Sequence, residues 1–183
     1  MALDPSHGQP MWSLDPSSRL AAVPVAAGGN LGLLRSGFPK LHLLSTADGT
    51  DHCIIGPDGL APDSSPPFLA ESNGKWFVGG EERLFGVGGQ EGRILWSKSI
   101  PPGRILQMVP AGDKLLCEIP KRLMAFQQAT GEQAWELEFP AESRILGIAL
   151  AGMRVFLVMN DGAVLAANEA DGKTQWRRPG PEK

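Results

Sequence analysis

An eleven-residue pattern returns five times along the chain, and this periodicity constrains the fold more than any other feature of the sequence. The clearest copy runs from Ala125 to Trp135; the others are Ala2 to Trp12, Leu43 to Cys53, Gly86 to Trp96 and Ala166 to Trp176. Their central glycines are Gly8, Gly49, Gly92, Gly131 and Gly172, spaced by 41, 43, 39 and 41 residues, and four of the five tryptophans stand four positions after one of them. A period of about 40 residues belongs to propeller blades and to some helical arrays.

The segments between the copies decide in favour of strands. An apolar run from Arg104 to Pro110 leads to a turn at Ala111-Gly112-Asp113, then to a second run, Lys114 to Ile119, and a third, Arg122 to Phe126. The fourth, Glu132 to Phe139, alternates polar and apolar residues, as a half-buried strand does. The next unit repeats this order with runs that start at Arg144, Arg154 and Val164. A second set of glycines keeps the period: Gly29, Gly74, Gly112 and Gly152 precede signature glycines by 20, 18, 19 and 20 residues. Each marks a tight hairpin where a positive φ is needed. With 23 glycines and 16 prolines in 183 residues, the composition also disfavours a helical array.

The sequence therefore predicts an all-β fold, a single β-propeller repeat domain over 1–183. Its four-stranded antiparallel blades are expected at about 19–56, 66–100, 103–140 and 143–178, with one leading strand, 9–14, from a further blade. The copy that ends at Cys53 lacks the tryptophan, and its central hairpin carries Ser36-Gly37-Phe38-Pro39. The Pro- and Gly-rich stretch from Gly56 to Pro67 is expected to be a surface loop between blades. The chain starts inside a signature copy. That favours the C-terminal part of a propeller of about seven or eight blades over a lone closed array or a two-chain ring, because an open array leaves strand edges unprotected.

The residue types of the signature suggest a clasp between sheets. In the fullest copies the series is Ala2, Asp4, Gly8 and Trp12, and again Ala166, Asn168, Gly172 and Trp176; Gly49 and Cys53, Gly92 and Trp96, and Ala125, Gly131 and Trp135 hold equivalent places. A small first residue admits a neighbouring side chain, Asp or Asn bonds the turn backbone, and glycine reverses the chain. The tryptophan ring is then free to pack on the next unit and give its indole N–H to a carbonyl. These residues resemble the tryptophan-docking motif of the pyrroloquinoline-quinone-type propeller repeat. That repeat is shared by the quinoprotein alcohol dehydrogenases and by non-enzymatic relatives such as the outer-membrane-assembly lipoprotein propeller.

The resemblance implies a propeller along the whole chain and leaves activity open, since this repeat serves enzymes, assembly scaffolds and sensor domains. It also implies what an enzyme of this kind would need: a disulfide between adjacent cysteines beside the quinone, carboxylate and amide ligands to calcium, and an aspartate base. Cys53 and Cys117 stand 64 positions apart and cannot form such a pair, and no Asp or Glu matches the catalytic positions. No cofactor, no metal and no enzymatic activity are expected. Both cysteines are read as small packing residues.

The net charge of -3, with both signs interspersed, excludes the basic footprint of a nucleic-acid binder. No apolar stretch approaches the roughly 20 residues of a membrane-spanning helix. Met1-Ala-Leu-Asp-Pro-Ser has neither a basic nor an apolar leader region, so the compartment is not assigned; the resemblance implies the cell envelope if an export signal lies upstream. Gly86-Val-Gly88-Gly89 continues strand to strand and is a signature turn rather than a phosphate loop. His42, Asp51, His52 and Cys53 are weighed as metal ligands or a Cys–His pair against polar surface residues around a buried cysteine. Glu136 and Glu138 read as the solvated face of a strand. Arg104 and Arg144 begin equivalent inner strands, where they either line the channel as a basic ring for an anion or form salt bridges. The expectation is a non-catalytic scaffold that binds a protein or peptide, as a homodimer or completed by further blades. The alternatives are a quinoprotein fragment and a ligand-sensing propeller.

Overall fold

Every regular element among the described residues is a β-strand. The computed structural model describes residues 2–4, 6–14, 20–35, 40–55, 68–89 and 92–181, which form two compact units, Met1–Pro102 and Gly103–Lys183. The expected hairpin at Ser36 to Pro39 and loop from Gly56 to Pro67 lie outside the described residues.

In the first unit, β1 (Ala2–Leu3) pairs with β2 (Pro10–Trp12), so the leading strand is one arm of a hairpin and not a single strand. A sheet follows of β3 (Val25–Ala27), β4 (Asn30–Leu34), β5 (Leu41–Ser45) and β6 (Asp51–Ile55), then one of β7 (Phe68–Ser72), β8 (Lys75–Gly79), β9 (Arg83–Gly88) and β10 (Ile94–Ser99). The second unit holds β11 (Gln107–Ala111), β12 (Lys114–Ile119), β13 (Arg122–Gln127) and β14 (Gln133–Glu138), then β15 (Ile145–Ala151), β16 (Arg154–Met159), β17 (Val164–Asn168) and β18 (Thr174–Arg178). In all four sheets each strand pairs antiparallel with its neighbour in sequence. Such meanders of short strands are the blades of a propeller.

The hairpins form where the second set of glycines places them. Gly29, Gly74, Gly112 and Gly152 all have positive φ, between 52° and 77°. Apolar side chains from facing sheets then close each core: Leu34, Leu41 and Leu43 pack with Trp76 and Phe85 in the first unit, and Leu116, Leu123 and Trp135 with Val155, Leu157 and Leu165 in the second. Cys117 is fully buried at the centre of β12, where loss of water pushes its thiol pKa up, as befits an inert packing residue. The side chain of Cys53 lies outside the described residues.

The arginines depart from expectation in one respect. Arg144 immediately precedes β15, and Arg104 lies three residues ahead of β11, so both sit on the approach to a first strand and not within it. Arg104-Ile105-Leu106 is kept off the ladder although Leu106 N–H already donates to Glu118 O at 2.7 Å.

Candidate functional site

The signature builds the same turn in the four copies whose turns are described. The residue four before the glycine accepts the glycine N–H and gives its own N–H to the residue after it: Gly8 to Asp4, Gly49 to Ser45, Gly131 to Gln127 and Gly172 to Asn168, all at 2.7–2.9 Å. The Asp or Asn side chain adds a third bond, from Ser6 N–H to Asp4 at 2.7 Å and from Ala170 N–H to Asn168 at 2.7 Å. The Ser6 N–H, with the His7 side chain, holds the Asp4 carboxyl below the usual carboxylate range.

The tryptophan then docks forward onto the next copy. Trp12 Nε1 donates to Thr46 O at 3.1 Å and Trp135 Nε1 donates to Glu169 O at 2.8 Å, in both cases 34 positions later. A Cβ on Gly49 would stand 2.7 Å from Trp12 Cδ2, and one on Gly172 would stand 2.7 Å from Trp135 Cδ2 and Cε3. The ring therefore lies flat on the glycine of the following turn. The small first residue faces the tryptophan across its own hairpin, as in Ala2↔Trp12, Gly86↔Trp96, Ala125↔Trp135 and Ala166↔Trp176. In the degenerate copy Leu43 is in register with Cys53, so the large and small residues have exchanged strands. Trp96 and Trp135 are 8% and 7% exposed, whereas Trp176 is 45% exposed.

A second feature is a groove of about 720 Å³ in the unit Gly103–Lys183. Arg104 reaches it from ahead of β11, Arg144 from ahead of β15, and Lys121 from the β12–β13 turn, while Glu118 of β12 also lines it. Asn160 fixes the approach to β15: its Oδ1 accepts from Arg144 N–H at 2.9 Å, its Nδ2 donates to Glu142 O at 2.9 Å, and its own N–H donates to Arg144 O at 2.9 Å. The structure thus brings both sequence-singled arginines to one groove. Neither has a carboxylate within ion-pair distance among the described residues, whereas Arg122 holds Glu136 at 2.8 Å and Glu138 at 3.2 Å.

Lys121 and Glu118 complete the groove, and sequence reasoning had passed over both. Lys121 has φ 68°, one of two non-glycine positive values among the described residues; the other is Asn73, a residue type that tolerates it. Glu118 is 6% exposed, and burial pushes its pKa up to about 6, an effect reduced by the Ile145 N–H that its carboxylate accepts. Because the ordinary value is 4.5, an unfolded chain releases this proton first, so stability from this group is present at pH 4 and declines as pH rises from 4.5 to about 6. Water entering the open groove tempers the penalty, which we place at about 1 kcal/mol. Glu118→Gln should therefore raise the unfolding free energy by about 1 kcal/mol at pH 8 and leave it unchanged at pH 4. Urea denaturation at both pH values checks this; an equal change at both would show that ionisation is not the cause.

The cluster around β6 is assembled differently from its polar-surface reading. His42 is 7% exposed, and its Nδ1 stands 2.7 Å from Asp51 Oδ2 on the adjacent strand, while His52 is exposed. Among the described residues no three of His, Cys, Asp and Glu gather into a metal-binding group. No helix among the described residues is long and apolar enough to cross a membrane.

Repeated four-stranded antiparallel blades, with a tryptophan ring on the following glycine turn at Trp12 and at Trp135, define a β-propeller protein. A family model described as outer membrane protein assembly factor BamB matches residues 64–183. The chain belongs to that family. No curated protein matches the sequence. Among solved structures, BamB from Moraxella catarrhalis superposes with a TM-score of 0.67 at 17% identity, over 96% of this chain and 56% of that one. Quinohemoprotein alcohol dehydrogenase ADHIIG from Pseudomonas putida HK5 gives 0.66 at 15%, over 92% and 35%. The computationally designed Ika4 protein gives 0.72 at 14%, over 88% and 98%. The chain thus spans little more than half the length of the BamB structure and about a third of the dehydrogenase.

Proposed function

We propose that this chain is a non-catalytic propeller scaffold that binds a protein or peptide through its blade loops and strand edges. The observation that carries the reading is the groove itself, in which cations without internal partners stand beside an exposed apolar side chain, Leu146, 69% exposed. Arg104, Lys121 and Arg144 are themselves exposed, so their charges and the apolar Leu146 side chain are open to a partner together, the mixed polar and apolar make-up of a recognition surface. The family, named for an outer membrane protein assembly factor, supports the same reading and supports a place in the cell envelope. The likeness to a quinohemoprotein dehydrogenase is a likeness of fold.

Two measurements test this. A photo-crosslinking residue in place of Leu146 should give a recurrent protein adduct in host cells, and one in place of Met153, 79% exposed on the β15–β16 hairpin, should not. Equal labelling at both sites, or none at Leu146, would remove the support for a scaffold. Incubation with pyrroloquinoline quinone and calcium should yield no dye-linked alcohol oxidation; turnover would replace the scaffold by the enzyme.

A further inference from the structure

We propose that the groove bounded by Arg104, Lys121 and Arg144 is a carboxylate-recognition site for an acidic peptide segment of a protein partner. The proposal rests on the scaffold reading and names the chemistry of its partner.

Charge pairing provides the first argument. In the unit Gly103–Lys183 most described cations are satisfied within the chain: Lys114 by Asp113, Arg122 by Glu136 and Glu138, Arg154 by Gln175, Lys173 by Asp171 and Arg177 by Asp161. Four described cations of this unit, Arg104, Lys121, Arg144 and Arg178, have no such partner, and the first three line one groove. The carboxylate that shares the groove, Glu118, is turned to the Ile145 N–H and leaves the cations free. In a chain of net charge -3, a groove lined by three exposed cations and one carboxylate carries an excess of positive charge that complements an anion.

Backbone geometry provides the second. Lys121 occupies the second position of a two-residue Pro120-Lys121 turn between Ile119 and Arg122, with φ 68°, where glycine is at ease and lysine is strained. Strain of this kind collects at functional positions. Here it carries the third positive charge to the groove. At Arg144, the three Asn160 hydrogen bonds fix the backbone that presents its side chain. The apolar walls, Leu106 and Leu146, suit a segment in which carboxylates flank an apolar side chain. A volume of about 720 Å³ lies within the range of ligand-binding clefts and admits more than a lone ion.

The test is a titration of the full chain with a capped peptide of Asp, Leu and Glu residues, followed by calorimetry, beside its Asn/Gln isostere. Arg104→Gln, Arg144→Gln and Lys121→Gly are compared with Arg178→Gln, which removes the same charge outside the groove. Lys121→Gly also relieves the backbone, so its effect on binding cannot come from misfolding. The acidic peptide should saturate the protein while the isostere does not, and each groove substitution should weaken it by about tenfold or more, against about twofold or less for Arg178→Gln. Absence of saturation at about 1 mM peptide by folded protein would overturn the proposal. So would equal weakening by Arg178→Gln, or tighter groove-dependent binding of a single-stranded oligonucleotide. If the peptide fails while crosslinking at Leu146 still yields its adduct, the scaffold stands and only the acidic chemistry of its partner falls.

Discussion

Trp135→Ala is expected to lower the unfolding free energy of the second unit by about 3–5 kcal/mol, the range for truncating a large buried side chain. The ring is 7% exposed and lies in the cluster that joins β11–β14 to β15–β18. Truncation leaves a cavity over Gly172 and strips Glu169 O of the indole N–H that now reaches it at 2.8 Å. Trp176→Ala provides the contrast. Its ring is 45% exposed and meets Phe156 at a centroid separation of 6.0 Å, so its loss should cost about 1 kcal/mol. Chemical denaturation followed by far-ultraviolet circular dichroism reads both. A loss below about 1 kcal/mol at Trp135 would mean that the ring does not bind the blades together.

Gly172→Ala is the second large effect, expected at about 2–4 kcal/mol. Two costs combine. The backbone has φ 70°, which an L side chain resists, and the added methyl would meet Trp135 Cδ2 and Cε3 at 2.7 Å. Gly152→Ala isolates the first cost: φ is 58° there, and nothing stands within 4 Å of the new Cβ. It should lose about 1 kcal/mol, the conformational penalty alone. Gly172→Ala in a Trp135→Ala background should then approach the Gly152 value, because the clash has been removed. Additivity in that double variant would show that ring and glycine are not coupled.

Much of this was legible in the sequence because it is written in local chemistry. A hairpin glycine or an Asx turn declares itself within a few residues, and the repeat multiplies each declaration, so the strand order of the second unit could be read directly. The forward direction of the clasp was less visible, since the acceptor carbonyls of Thr46 and Glu169 are backbone atoms that leave no mark on residue type. The His42–Asp51 contact was missed for a related reason. Alternation along β6 separates Asp51 from His52, but it does not reveal which neighbour on β5 a side chain reaches. The groove required still more: Lys121 looks like any surface lysine until its φ is known, and Glu118 sits in an apolar run whose alternation gives no hint that its carboxylate faces a cavity. Arg104 and Arg144 were singled out by their equivalent positions, while their want of internal partners is a matter of tertiary geometry alone.

The clasp also gives the array a polarity. At the two clasps described, Trp12 on the Gly49 turn and Trp135 on the Gly172 turn, the earlier element gives the ring and the later one the turn, so the two sides of each junction are unlike and the contact is heterologous. Stability then accumulates junction by junction, as in a one-dimensional chain of coupled units. A lesion in a glycine turn should accordingly be felt first by the blade that precedes it, against the direction in which the polypeptide runs.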